Sequence, residues 1–171
     1  MYSRDFIFFT IIMITNTDLL QIAKEYNIPV RAVFAKDKPP KRIYNGGYII
    51  NLQDSSLHQG GSHWVALYVS SKNKVVAYMD SFGFVPSQST MNWLKATGLR
   101  NYNVVYNDKQ IQNIHSGGCG IYSLFFIDFV SRYNVSQSMK LIMNAFKNLW
   151  SDNTEENLRR LKQYIPYYRN S

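Results

Sequence analysis

Residues 63–80 have the sequence HWVALYVSSKNKVVAYMD. Two runs rich in β-branched and aromatic residues flank the polar segment 70–73, a pattern that predicts an antiparallel β-hairpin. With the turn centred between residues 71 and 72, His63 and Asp80 occupy directly opposed positions, with Cβ atoms about 5 Å apart. The hairpin therefore predicts a carboxylate that accepts a hydrogen bond from one imidazole nitrogen, which fixes the ring and supports its charged form.

The segments on either side of this hairpin predict both helices and strands. Before the hairpin we expect a buried strand at 6–14, a helix at 18–27, a basic loop at 31–42 and a strand at 48–52. After it we expect a helix at 91–97 ended by Gly98, a strand at 102–106 and a buried helix at 121–133. Two further helices follow, one carrying the apolar stripe 139–150 and a last one with capping-box spacing at Asp152 and Glu155. Helices at both ends and strands in the middle predict an α+β fold, with a central mixed or antiparallel sheet packed by helices.

Length and composition narrow the class of protein. The chain has 171 residues, 46% hydrophobic and 18% charged, so we expect one folded domain over 1–171 and exclude a disordered tail or a coiled coil. The apolar run 6–14 is too short to span a bilayer, which takes roughly 20 residues, so we expect neither membrane insertion nor secretion. A single cysteine, Cys119, excludes a disulfide framework and a multi-cysteine metal site, and fits a reducing compartment.

Charge is the second compositional signal. The formal net charge of +8 favours a polyanionic partner such as DNA. The stretch 31–42 carries five basic residues and one acidic residue, and it is either a phosphate-facing loop or simply a solvated face.

Residues 112–120 have the sequence QNIHSGGCG and precede the apolar helix. The glycines allow a tight turn and leave room for a substrate chain. A thiol at a helix N-terminus beside an imidazolium favours the thiolate, the reactive species, although a lone Cys119 is also compatible with a small buried apolar side chain. Free amides at the helix start, and the side-chain amide of Gln112, could hold the oxyanion of an acyl-transfer intermediate. The alternative for Gln112 is an ordinary loop residue.

Taken together, His63-Trp64, then Asp80-Ser81-Phe82-Gly83, then Gln112 seven residues before Cys119-Gly120, resemble the adenain-like cysteine endopeptidases. These comprise the adenovirus maturation protease and its relatives in virophages, Maverick/Polinton elements and other large DNA viruses. The resemblance covers roughly residues 46–133. It implies a papain-like, adenain-like fold. The related peptidases that act on SUMO and ubiquitin-like proteins usually place the glutamine six residues before the cysteine.

The resemblance implies a role for each matching residue. Cys119 would be the nucleophile, His63 the general base and acid, and Asp80 the residue that orients His63. Gln112 and the Cys119 backbone amide would form the oxyanion hole. Trp64 would shield the histidine or serve as a core residue, whereas His58 and His115 match no catalytic position and are expected at the surface.

The implied function is a thiol endopeptidase that cleaves virion (capsid) precursor proteins at glycine or other small residues during particle maturation, in the virion and in the host cytoplasm or virus factory. No cofactor or metal is implied for the chemistry, and DNA or a peptide is implied as activator. The adenoviral enzyme is tethered to its activating peptide by a disulfide through a second cysteine, which this chain lacks. Two alternatives remain open: a peptidase that removes SUMO-like or ubiquitin-like modifiers, and a non-catalytic, basic nucleic-acid-binding protein on a protease-like fold.

Overall fold

The architecture is a five-stranded sheet with helices on both faces. A computed structural model of the chain describes residues 14–56, 63–133 and 138–164. The strands are β1 (Val30–Ala35), β2 (Gly46–Asn51), β3 (Trp64–Ser70), β4 (Val75–Met79) and β5 (Asn103–Tyr106). The helices are α1 (Asn16–Glu25), α2 (Gln88–Leu94), α3 (Cys119–Arg132), α4 (Met139–Asn148) and α5 (Thr154–Tyr164), and a π-helical turn, Lys95–Leu99, follows α2. The strand expected at 6–14 and the position of His58 lie outside the described residues, apart from Ile14, which is buried.

The sheet is mixed, which is one of the two arrangements, mixed or antiparallel, that the sequence predicts. Its spatial order is β1-β2-β3-β4-β5, with antiparallel pairing of β2–β3 and β3–β4 and parallel pairing at both edges. The expectation of a loop over 31–42 is wrong for its first part, because residues up to Ala35 form the edge strand β1. The charge of Arg31 masked a strand pattern, since a side chain on an edge strand can point to solvent while the backbone still pairs.

The hairpin forms as expected, but its register differs from the prediction by two residues. Ser70 pairs with Val75 and Ala66 pairs with Met79, which moves the turn by one residue and removes His63 from the position directly opposite Asp80. A shift of two residues preserves the alternation of side chains between the two faces. His63 and Asp80 are therefore diagonal neighbours rather than a directly opposed pair.

Two apolar layers enclose the sheet. One face packs against α1, α3, α4 and α5, with α3 at its centre, and the other is covered by α2 and the π-helical turn. α3 lies so close to β2 that a Cβ on Gly47 would come within 2.4 Å of the Ile127 side chain. This close approach fixes the axis of α3 over the sheet, and with it the place where the helix begins.

The remaining helices largely follow the sequence pattern. The helix expected at 91–97 lies earlier, over Gln88–Leu94, and Gly98, with φ 92°, breaks the helical geometry inside the π-helical turn that follows instead of ending α2. The cap of α5 differs from the prediction, because Asn153 accepts hydrogen bonds from the amides of Glu155 and Glu156, while Asp152 lies at the surface against Lys109. An asparagine one residue later satisfies the same free amides that an aspartate cap would satisfy. Within the described part of the chain, no helix has the length and apolar character needed to cross a membrane.

Candidate active site

His63 and Asp80 meet at the end of the sheet where β3 begins and β4 ends. The imidazole Nε2 lies 2.7 Å from the Asp80 Oδ1, and both side chains are buried. The same Oδ1 accepts the backbone N–H of Phe82 at 2.8 Å, so the chain turns back over its own carboxylate directly after β4. The Phe82 ring stacks on the imidazole at a centroid distance of 3.9 Å and an interplanar angle of 5°. The ring of His63 is thus fixed along its edge and across one face.

The electrostatics of the site favour the charged form of His63. Burial lowers the pKa of the imidazole, but the hydrogen bond with Asp80, the contribution of Cys119 and the negative charge of Asp80 outweigh it. Together they raise the pKa of His63 from 6.5 to about 9. His63 is therefore an imidazolium at neutral pH, and an imidazolium stabilises a neighbouring thiolate.

Cys119 is the first residue of α3. Gly118, with φ 110°, turns the chain into the helix, and the first-turn amides of a helix have no partner within it. The Trp64 backbone N–H donates to the Cys119 Sγ at 3.4 Å, and a Cβ on Gly120 would come within 2.9 Å of Ile14 and 3.4 Å of Trp64. Glycine after the cysteine is therefore what lets the start of α3 pack closely against Ile14 and against Leu19 of α1.

The histidine connects the carboxylate to the thiol. Because Nε2 faces Asp80, the ring nitrogen left for Cys119 is Nδ1, which is buried and makes no hydrogen bond of normal geometry with the described residues. The sulfur of Cys119 accepts the backbone N–H of Trp64, the residue directly after His63, at 3.4 Å. The arrangement brings three of the four predicted site residues into one acid–histidine–thiol series.

Gln112, the fourth predicted residue, reaches the same site by a different route. Its side chain is buried, and its Nε2 donates to the carbonyls of Ser116 at 2.8 Å and Gly117 at 3.1 Å, just before the cysteine. Its Oε1 accepts the hydroxyl of Ser81 at 2.6 Å. The side chain therefore lies within the loop that carries Cys119, and its function as an oxyanion donor stays a prediction.

Two residues to which the sequence pattern assigned no role support the site. Ser81 is fully buried against Gln112, and Asn107 donates to the backbone carbonyl of Asp80 at 3.0 Å. Both contacts join segments more than 25 residues apart, so no local pattern could reveal them. The adjacency of Ser81 to Asp80 was the only available signal.

His115 is exposed, as predicted, and Trp64 is a core residue whose backbone contacts the cysteine. Among the residues that the structure describes, no cluster of three histidine, cysteine or carboxylate side chains could hold a metal ion.

One curated relative is a protease of Porcine adenovirus A serotype 3, which is 25% identical over 132 residues, or 70% of this chain and 65% of the relative. The match therefore spans slightly less than two thirds of that protein's length. Among solved structures, the ASFV protease aligns with a TM-score of 0.55 and 19% identity over 90% of this chain and 66% of that one. A SUMO protease Ulp1 structure aligns with a TM-score of 0.37 and 18% identity over 57% of this chain and 49% of that one.

A family model decides the classification. The model described as the Ulp1 protease family, C-terminal catalytic domain, matches residues 55–161, which is more than half of the chain and includes all four predicted site residues. Together with the adenoviral relative and the shared fold, this match confirms the predicted resemblance to the adenain-like cysteine proteases and the α+β fold. The chain belongs to the Ulp1 protease family.

Proposed function

We propose that this chain is a thiol endopeptidase that cleaves virion precursor proteins. The observation that carries the proposal is the position of His63, with Asp80 on its Nε2 and the Cys119 sulfur, at the start of a helix, on the backbone N–H of the next residue, Trp64. The adenoviral origin of the curated relative supports a viral substrate, and the glycine-rich approach to Cys119 supports cleavage beside glycine or other small residues. The single domain over 1–171 acts in the virion and in a reducing compartment of the host cell.

The mechanism follows from the two charged groups. The Cys119 thiolate attacks the scissile carbonyl carbon, and the carbonyl oxygen takes up the negative charge near the first amides of α3. The imidazolium of His63 gives its proton to the leaving amine, which departs and leaves a thioester on Cys119. Neutral His63 then takes a proton from water, and the hydroxide attacks the thioester. The carboxylic acid product leaves, and the thiolate–imidazolium pair of Cys119 and His63 is regenerated. Asp80 holds the ring in orientation and balances its charge throughout. This chemistry uses no metal or redox cofactor.

Cleavage of a precursor protein tests the proposal directly. Wild-type protein is incubated with a recombinant capsid-type precursor from an adenain-encoding virus, and the fragments are identified by mass spectrometry. Cys119→Ala removes the attacking atom, so cleavage falls below detection, while the thermal midpoint stays within a few degrees because only one sulfur is lost from a buried site. Cleavage by the alanine variant at the wild-type rate would contradict the proposal.

Removal of a ubiquitin-like modifier is the second candidate, because the matching family model is that of Ulp1. A SUMO conjugate and a precursor with internal Gly-containing sites, presented at equal concentration, distinguish the two. We expect a higher kcat/KM on the precursor. A higher kcat/KM on the SUMO conjugate would contradict precursor cleavage and support removal of a ubiquitin-like modifier instead.

DNA is the proposed partner of the basic surface. Lys38, Lys41 and Arg42 are exposed and lie in the segment after β1, whereas Lys36 is partly offset by Asp54 at 3.6 Å. We expect DNA binding that weakens steeply with salt, because each neutralised phosphate releases counterions. Lys41→Glu should reduce this affinity at low salt, while Lys140→Glu, on the exposed side of α4, serves as a control of equal charge change. Equal loss in both proteins would leave only a general charge effect and contradict a local DNA site.

A further inference from the structure

The carboxamide of Gln112 has every polar atom engaged. Its Nε2 donates to the carbonyls of Ser116 and Gly117, and its Oε1 accepts from Ser81. The orientation of the amide is settled by its partners, because carbonyl oxygens accept and cannot donate. Only 1% of the residue is exposed, so these contacts have little competition from water.

Ser81 holds Gln112 from two sides. Its backbone carbonyl accepts the amides of Ile111 at 2.9 Å and Gln112 at 3.0 Å, and its hydroxyl donates to the Gln112 side chain. Ser81 itself is fully buried and directly follows Asp80. The contact therefore joins the end of β4, which carries the carboxylate, to the loop that carries the thiol.

The two carbonyls that Gln112 holds lie immediately before the nucleophile. A peptide group is planar, so fixing the carbonyl oxygens of Ser116 and Gly117 also fixes the planes of the peptide bonds that lead into Gly118. Gly118 is in the left-handed region, and the helix starts at the next residue. Loss of either hydrogen bond would free a glycine-rich segment with many backbone conformations available to it.

We propose that Ser81 is a positioning residue, and that Ser81 and Gln112 form a clamp that fixes the loop leading to Cys119. This proposal rests on the proposed protease function and adds the residue that sets the place of its nucleophile. It also gives Gln112 a primary structural task, since donation to an oxyanion would require one of its two N–H groups to leave a loop carbonyl. Ser81 touches neither the substrate nor the thiol, and acts through Gln112.

Alkylation of Cys119 by iodoacetamide separates this task from oxyanion binding. Displacement of iodide by a thiolate forms no oxyanion, whereas peptide hydrolysis does. Cys119 is the sole cysteine of the chain, so the label needs no assignment. In Ser81→Ala we expect both alkylation at pH 7 and hydrolysis to slow by about tenfold or more, because a loosened loop moves the sulfur out of place.

The matched control is Ser123→Ala. Ser123 is also fully buried, lies one turn into α3, and its hydroxyl has no hydrogen-bond partner among the described residues. Its removal should leave both rates at the wild-type level. If Ser81→Ala does not fold, as judged by circular dichroism, Gln112→Met tests the same clamp with a side chain of similar length.

A spectroscopic measurement distinguishes displacement of the thiol from a general loss of stability. Cys119 contributes to the raised pKa of His63, so a displaced sulfur lowers the midpoint of the His63 ring titration, followed by NMR, from about 9. Unchanged alkylation and an unchanged midpoint in Ser81→Ala, with hydrolysis alone reduced, would overturn the clamp and leave Gln112 as an oxyanion donor. A wild-type chain that alkylates readily but cleaves no protein would contradict the proposed function, and the alkylation arm would still test the clamp.

Discussion

The two halves of the site are held by different forces. The half formed by β3 and β4 contains an ion pair, His63 with Asp80, and its geometry depends on charge. The half that begins α3 is held by uncharged hydrogen bonds from Gln112 to backbone carbonyls and by the packing of Gly120. A change of pH therefore acts mainly on the first half, and removal of a neutral hydrogen bond acts mainly on the second.

The difference also concerns distance along the chain. His63 and Asp80 are 17 residues apart on one hairpin, whereas the Trp64 amide reaches the Cys119 sulfur across 55 residues. The first half can form as soon as the hairpin does, and the second requires α3 to dock on the sheet. Variants that separate binding, alkylation and hydrolysis can show how independently the two halves act.

The largest effect is expected for the residue common to both halves. In His63→Ala the thiolate loses its counterion and the leaving amine loses its acid, so kcat/KM should fall by about 10³-fold, within the range typical of general acid–base catalysis. Alkylation of Cys119 at pH 7 should slow as well. Both rates are measured on protein whose folding is verified by circular dichroism.

His115→Ala is the control for this variant. His115 is exposed on the loop before Cys119, and its backbone N–H donates to the side chain of Asn113. We expect rates within about twofold of wild type, as for other surface substitutions. A loss in His63→Ala no greater than that in His115→Ala would break the comparison, since neither half would then depend on the imidazole.

A smaller effect is expected when the pair keeps its shape but loses its charge. In Asp80→Asn the amide oxygen still accepts from Nε2, but burial now lowers the pKa of His63 without an opposing carboxylate. The alkaline limb of the pH profile of kcat/KM, expected near 9 in wild type, should therefore move to lower pH. At pH 8 the loss should be about tenfold to a hundredfold, and at pH 6 it should be smaller. A limb that stays in place would show that the charge of Asp80 is unimportant.

The same pair makes stability depend on pH with a definite sign. The folded-state pKa of His63 lies above its unfolded value, so the stabilisation is fully present below about 6.5 and is lost as the pH rises through about 9. The shift corresponds to a contribution on the order of 3 kcal/mol to the free energy of unfolding. Urea denaturation of wild type and Asp80→Asn at pH 6 and pH 9.5 isolates this contribution, because other titrating groups are common to both proteins.

Sequence patterns predicted the hairpin half well and the loop half only in outline. Alternation of side chains placed His63 and Asp80 on one face, and this survived an error of two residues in the register because the period of a strand is two. The apolar run after Cys119 likewise predicted α3 and its start.

The clamp and the edge strand could not be predicted for a physical reason. Ser81 and Gln112 are 31 residues apart, and their hydrogen bond exists only after β4 and the loop before α3 have docked. β1 is polar at Arg31 and pairs in parallel with β2, so neither a turn signal nor a clean alternation marks it. Local propensity describes single elements, while these features depend on contacts between elements.

The smallest effect is expected at Phe82, which covers one face of the imidazole in the hairpin half. An aromatic ring stacked on a cation stabilises it through the negative charge density of its face, by about 1 kcal/mol at partly buried sites. Phe82→Leu keeps the apolar cover and the backbone N–H that binds Asp80, and removes only the ring. The NMR midpoint of His63 should therefore fall by about half a pKa unit to one unit, and kcat/KM should fall only a few-fold.

Phe84→Leu provides the matched control. The ring of Phe84 is largely exposed and contacts Phe82 edge-on at a centroid distance of 6.4 Å, so it neither covers nor stacks on the imidazole. Its replacement should leave the His63 midpoint unchanged. An upward shift in Phe82→Leu would mean that the ring acts mainly by excluding water, because burial is what lowers the pKa of His63. The charge of the first half would then rest on Asp80 and Cys119 alone, without help from the aromatic face.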